Sequence, residues 1–98
     1  MIDTGKQKIN QELHVIRANQ LYYTSLLEDV KKTVEFIRKH KNPAMESEEL
    51  ESERELNDLF LERECDHLIL EIDRLTKDLA MQQSRLKNVM NLVCFILQ

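Results

Sequence analysis

The sequence predicts an all-α fold: an antiparallel two-helix hairpin of coiled-coil type, expected to be oligomeric. Three observations point there. Two heptad seams flank one helix-breaking segment. The chain of 98 residues holds a single glycine and a single proline, which leaves little material for turns. A third of its residues are charged and only five are aromatic, the profile of a long helix or coiled coil rather than a layered globule.

The first helix is expected over about residues 5–40. Thr4-Gly5-Lys6-Gln7 reads as a capping box, a hydroxyl followed three residues later by an amide. Its seam runs Ile9, Leu13, Ile16, Gln20, Tyr23, Leu27, Val30, Val34 and Ile37 in alternating steps of four and three. That 3.5-residue spacing keeps one stripe facing a partner helix, where knobs fit into holes. A loop is expected over about 41–47, because the residue before Pro43 is pushed out of the α region. Asn42, Ser47 and the box Ser52-x-x-Glu55 all qualify as caps for the restart.

The second helix is expected over about 48–97, completing a single hairpin across 1–98. Its seam runs Leu61, Cys65, Leu68, Ile72, Leu75, Leu79, Gln82, Leu86, Val89, Val93 and Ile96. Leu56, Leu59 and Phe60 lie off this line, so the stripe shifts phase near Phe60. Each seam has one polar break. If paired residue numbers sum to 102, Gln20 meets Gln82, Ile37 meets Cys65 and Val34 meets Leu68. A slip of one heptad would strand each amide against an apolar side chain, at roughly 1–3 kcal/mol per unmet group.

Apolar residues beside the seams exceed what a hairpin needs. Val15, Tyr22, Leu26 and Phe36 form a partial second stripe on helix 1, and Ile69, Leu70 and Met90 lie off the seam on helix 2. They mark a candidate oligomer surface; scattered surface apolars are the alternative reading.

Charge is unevenly distributed. Residues 1–42 carry +3, residues 43–64 carry −7, and residues 65–98 balance. Arg38, Lys39 and Lys41 end helix 1, whereas Glu46, Glu48, Glu49 and Glu51 begin helix 2, both complementing the helix dipoles. No broad basic face exists, which argues against nucleic acid as a partner. Cys65 and Cys94 sit about 43 Å apart on one helix at 1.5 Å per residue, beyond disulfide reach. Free thiols fit a reducing compartment, hence the cytoplasmic side. No signal peptide is legible at the start of the chain, and the apolar stretch from Val89 to Leu97 falls short of the ~20 residues that span a bilayer.

Catalytic chemistry finds no support. Glu64-x-x-His67 with Glu71 one turn on has the spacing of half a di-iron site. Its second copy is missing, so a solvated helix face is the better account. His14 and His40 lack zinc-ligand spacing. The expectation is a non-enzyme with no cofactor.

Specific strings add a resemblance. The chain contains Arg17-Ala18-Asn19-Gln20-Leu21-Tyr22-Tyr23, Ser25-Leu26-Leu27, Lys32-Thr33-Val34-Glu35-Phe36-Ile37-Arg38, Asn42-Pro43-Ala44-Met45, Arg63-Glu64-Cys65-Asp66 and Arg85-Leu86-Lys87-Asn88-Val89-Met90-Asn91-Leu92-Val93. Together, over roughly residues 13–93, they resemble the cytoplasmic helical region of fungal CorA-like magnesium transporter proteins. The resemblance implies a long-helix pair on the cytoplasmic side, with helix 2 as a stalk leading to membrane segments in a pentamer. It also implies Mg²⁺ as the transported ion. The sequence departs from that pattern: it holds no membrane helix, no Gly-Met-Asn signature and no N-terminal α/β domain. It is therefore expected to be a truncated or partial chain, membrane-associated only through missing downstream segments. The expected function is a non-catalytic helical fragment acting through helix–helix oligomerisation, with itself or a related helical protein. The alternative is a stand-alone coiled-coil scaffold.

Overall fold

The computed structural model describes residues 2–40 and 51–97. Helix α1 spans Ile2–Lys39 and helix α2 spans Glu51–Leu97, with no strand among the described residues. The helix is therefore already running at Thr4-Gly5-Lys6-Gln7, three residues ahead of the expected start. Gly5 does not adopt a positive φ, and its cost of about 1 kcal/mol relative to alanine is too small to stop a helix of this length. The expected loop over 41–47 and the caps at Asn42 and Ser47 lie outside the described residues, while Ser52 and Glu55 lie inside α2.

The end of α1 has a visible chemical logic. Arg38 and Lys39 occupy the last turn, where cations complement exposed carbonyls. The backbone N–H of His40 donates to the Phe36 carbonyl at 3.0 Å, and His40 Nδ1 lies 3.0 Å from the same oxygen. The imidazole also stacks on the Phe36 ring, centroids 4.1 Å apart. Within the helix, Thr24 and Thr33 donate their hydroxyls to the carbonyls of Gln20 and Asp29, four residues back, which satisfies each hydroxyl locally.

The chain divides into two compact units, Met1–Leu26 with Leu75–Gln98, and Leu27–Arg74. Each contains a stretch of both helices. In the unit Leu27–Arg74 the helices run antiparallel. Lys31 Nζ meets Asp73 Oδ1 at 2.8 Å, whereas Arg38, farther along α1, meets Asp66 at 2.7 Å and Glu62 at 3.3 Å. Here lies the core: Val34, Cys65 and Ile72 are 8%, 3% and 6% exposed, with Leu27, Leu61 and Ile69 packed against them. A fully buried aliphatic side chain contributes about 1.5–3 kcal/mol. Two nearly buried aliphatic residues and a cysteine make a slender core.

Among the described residues of the unit Met1–Leu26 with Leu75–Gln98, no hydrophobic residue is buried. Leu13, Gln20 and Thr24 from α1 are half-buried, as are Thr76, Leu79, Gln83, Leu86, Met90 and Val93 from α2. Gln83 Nε2 donates to Thr24 Oγ1 at 2.9 Å, and that hydroxyl in turn donates to the Gln20 carbonyl. The amide that reaches across to α1 is thus Gln83. Gln82, its expected counterpart, is exposed. The Gln20 side-chain oxygen is buried with no hydrogen-bond partner.

Candidate interaction surface

The inward positions are turned by about one residue from the expected seams. On α1, Leu13, Gln20, Leu27 and Val34 face inward, and so do Thr24 and Lys31, each four residues beyond an inward neighbour. Ile9, Ile16, Tyr23, Val30 and Ile37, from the three-residue side of the expected seam, remain exposed. On α2, Cys65, Ile72, Leu79, Leu86 and Val93 face inward, joined by Ile69, Thr76, Gln83 and Met90. Leu68, Leu75, Val89 and Ile96 remain exposed. Leu61 still faces inward, so the steps 61, 65, 69 are two fours in succession. The change of phase therefore sits at Cys65, one turn later than Phe60, as a local unwinding of the heptad pattern.

This rotation gives each unit two unlike flanks. In an antiparallel helix pair, positions four beyond the inward column of both helices share one side, and positions three beyond share the other. Polar contacts identify the first side. It carries Thr24–Gln83 in one unit, and Lys31–Asp73 with Arg38–Asp66 in the other. The opposite side is apolar. In the unit Met1–Leu26 with Leu75–Gln98 it presents Ile9, Ile16 and Tyr23 beside Leu75, Val89 and Ile96, each 41–66% exposed. In the unit Leu27–Arg74 it presents Val30, Ile37 and Leu68.

The candidate oligomer residues divide differently. Val15, Tyr22, Leu26, Phe36 and Leu70 are exposed, with Tyr22 edge-on to Tyr23 at 5.6 Å between ring centroids. Ile69 packs on the core and Met90 is half-buried beside α1, so the hairpin itself uses both. The physical reason is the same rotation, which brings the four-residue positions of α2 inward.

One of the two shifted groups lies on the polar flank. The Lys31 ammonium is held above its ordinary pKa by its hydrogen bond and charge attraction to Asp73. Glu71 is held below the usual carboxylate range by the Arg74 guanidinium, its neighbour three residues on along α2. That pairing places Glu71 in a surface ion pair, and among the described residues no three His, Cys, Asp or Glu side chains converge to hold a metal ion. Two grooves occur. One, of about 360 Å³, lies on the polar flank between Gln20 and Gln83 and includes Arg17 and Lys87. The other, of about 630 Å³, is lined by Leu56, Leu59, Phe60 and His67 with neighbouring charges. Cys65 is buried and Cys94 exposed, both as free thiols.

Thr24, Lys31, Thr76 and Gln83 were not legible as inward positions from apolar spacing alone. Charge could have found two of the contacts: Lys31 with Asp73 and Arg38 with Asp66 are opposite pairs of equal residue-number sum. No helix among the described residues is long and apolar enough to cross a membrane. Compared with known proteins, the chain matches no family model, no curated protein and no solved structure.

Proposed function

We propose that this chain is a non-catalytic helical segment of the CorA-like magnesium transporter type, on the cytoplasmic side, acting through helix–helix oligomerisation. One observation carries the oligomerisation. The hairpin pairs its helices through a central column and a polar flank, and leaves an apolar flank uncovered. A helix pair with three buried hydrophobic residues among those described has little core of its own, and small cores of this kind are usually reinforced by association. The transporter assignment rests on the strings between residues 13 and 93, and Mg²⁺ enters it as cargo rather than as a cofactor.

Sedimentation equilibrium of the chain tests the oligomeric part. A mass that is a multiple of 11.7 kDa is expected at concentrations near 100 µM, and a strictly monomeric mass refutes it. Transcript sequence beyond the codon for Gln98 tests the transporter part. An in-frame apolar helix of about 20 residues supports it. A stop codon there favours the second reading, a stand-alone coiled-coil scaffold, which the same uncovered flank also suits.

A further inference from the structure

We infer that the apolar flank of the unit Met1–Leu26 with Leu75–Gln98 is the docking face for the same flank of a second copy of this chain. The inference rests on the oligomerisation proposed above and specifies its surface; a contact of this two-fold kind closes as a dimer, not as the pentamer that the resemblance implies. Ile9, Ile16 and Tyr23 repeat every seven residues on α1, and Leu75, Val89 and Ile96 keep the same repeat on α2. Columns with that period accept knobs from helices of equal period, and a second hairpin supplies two of them. Two further observations select a copy of this chain, and the exposed area leaves room for one.

The first is Gln82, which occupies the one polar position in the α2 column, between Leu75 and Val89. An amide carries both donor and acceptor, so two copies related by a two-fold axis near this residue satisfy each other. An unrelated apolar partner would leave the amide unmet, and a single polar residue in an apolar column is a known means of setting register. The second is charge. Glu12, Asp78 and Arg85 border the flank with both signs, so a copy meets opposite as well as like charges. The polar flank, by contrast, would set Arg17 and Lys87 against cations of the same kind. The chain exposes 8356 Å², against about 5,900 Å² for a compact monomer of 11.7 kDa. A standard interface needs only about 800 Å² from each partner.

Cysteine cross-linking of the full chain tests this. In a Cys94→Ser background, with buried Cys65 left in place, single cysteines are placed on the apolar flank (Gln82→Cys, Val89→Cys) and on the polar flank (Arg17→Cys, Lys87→Cys). Under mild oxidation by a copper–phenanthroline complex, disulfide-linked dimer should form at the apolar-flank positions, most at 82, and much less at 17 and 87. Equal or greater cross-linking on the polar flank overturns the inference. Sedimentation of Ile16→Asp/Val89→Asp against Val15→Asp/Tyr22→Asp gives a second readout. The flank pair should weaken self-association by at least about thirty-fold, and the control pair should change it little. If the control pair dissociates the oligomer while the flank pair does not, the docking face is wrong and the oligomeric reading stands. If the unaltered chain is monomeric, both fall.

Discussion

Replacing Ile72 by alanine removes three carbons from the centre of the unit Leu27–Arg74, where Ile72 is 6% exposed beside Val34 and Cys65. At about 0.8 kcal/mol per buried carbon the transfer loss is roughly 2.4 kcal/mol. A cavity left behind adds to this where neighbours cannot move. Here the core is a single layer between two helices, and Leu27, Leu61 and Ile69 around it are only partly buried. They can close in, so the total should stay near the low end of the usual range, about 2–3 kcal/mol. The control is Leu70→Ala on the same helix. Leu70 is 67% exposed, and its loss should cost no more than about 0.5 kcal/mol. Urea unfolding followed by circular dichroism measures both, at one fixed protein concentration so that the proposed self-association would shift both midpoints alike. A cost below about 1 kcal/mol for Ile72→Ala, or one equal to that of Leu70→Ala, would refute this account of the core.

Four further outcomes are expected. Gly5→Ala should stabilise the chain by up to about 1 kcal/mol in the same unfolding assay, because a Cβ there meets nothing within 4 Å and alanine suits a helix interior better. Gln20→Leu should raise stability by roughly 1 kcal/mol or more, since it removes a buried oxygen that lacks a partner; a loss would mean that the amide is satisfied in solution. Melting temperature should form a plateau in pH. Glu71 is depressed below 4.5, so its contribution is present above that value and fades as pH falls through its lowered pKa; Lys31 is raised above 10.5, so its contribution is present below that value and fades as pH rises through the raised one. Glu71→Gln should flatten the acid limb and Lys31→Met the alkaline limb. Finally, a thiol reagent applied to the folded protein should modify Cys94 promptly and Cys65 only on unfolding; two equally fast thiols would contradict the buried position of Cys65.

Periodicity made much of this architecture legible in advance, for an identifiable reason. Two long apolar repeats separated by Asn42-Pro43 can bury their stripes within one chain only by doubling back, so two antiparallel helices follow from spacing and one breaker. The columns Leu13, Gln20, Leu27, Val34 and Cys65, Ile72, Leu79, Leu86, Val93 were readable because their seven-residue spacing keeps them on one line whichever way a helix is turned. The start of α1 was not, since a capping-box string also fits inside a helix. Nor was the assignment of Ile69 and Met90, which apolar counting placed on an outer surface.

What the amino-acid order determined by itself is therefore the helices, their direction and the central column of each. Only the packed structure decided which neighbour of that column turns inward. Residues three and four beyond an inward position flank it almost equally, so Tyr23 and Thr24, or Gln82 and Gln83, compete on nearly level terms. Hydrophobicity favours one choice. The hydrogen bond from Gln83 to Thr24 and the ion pairs of Lys31 and Arg38 accompany the other, and these contacts exist only once both helices are in place. Turning each helix through that small angle releases Ile9, Ile16, Tyr23 and Val89 from the hairpin, and a surface that spacing alone assigned to the interior faces outward instead.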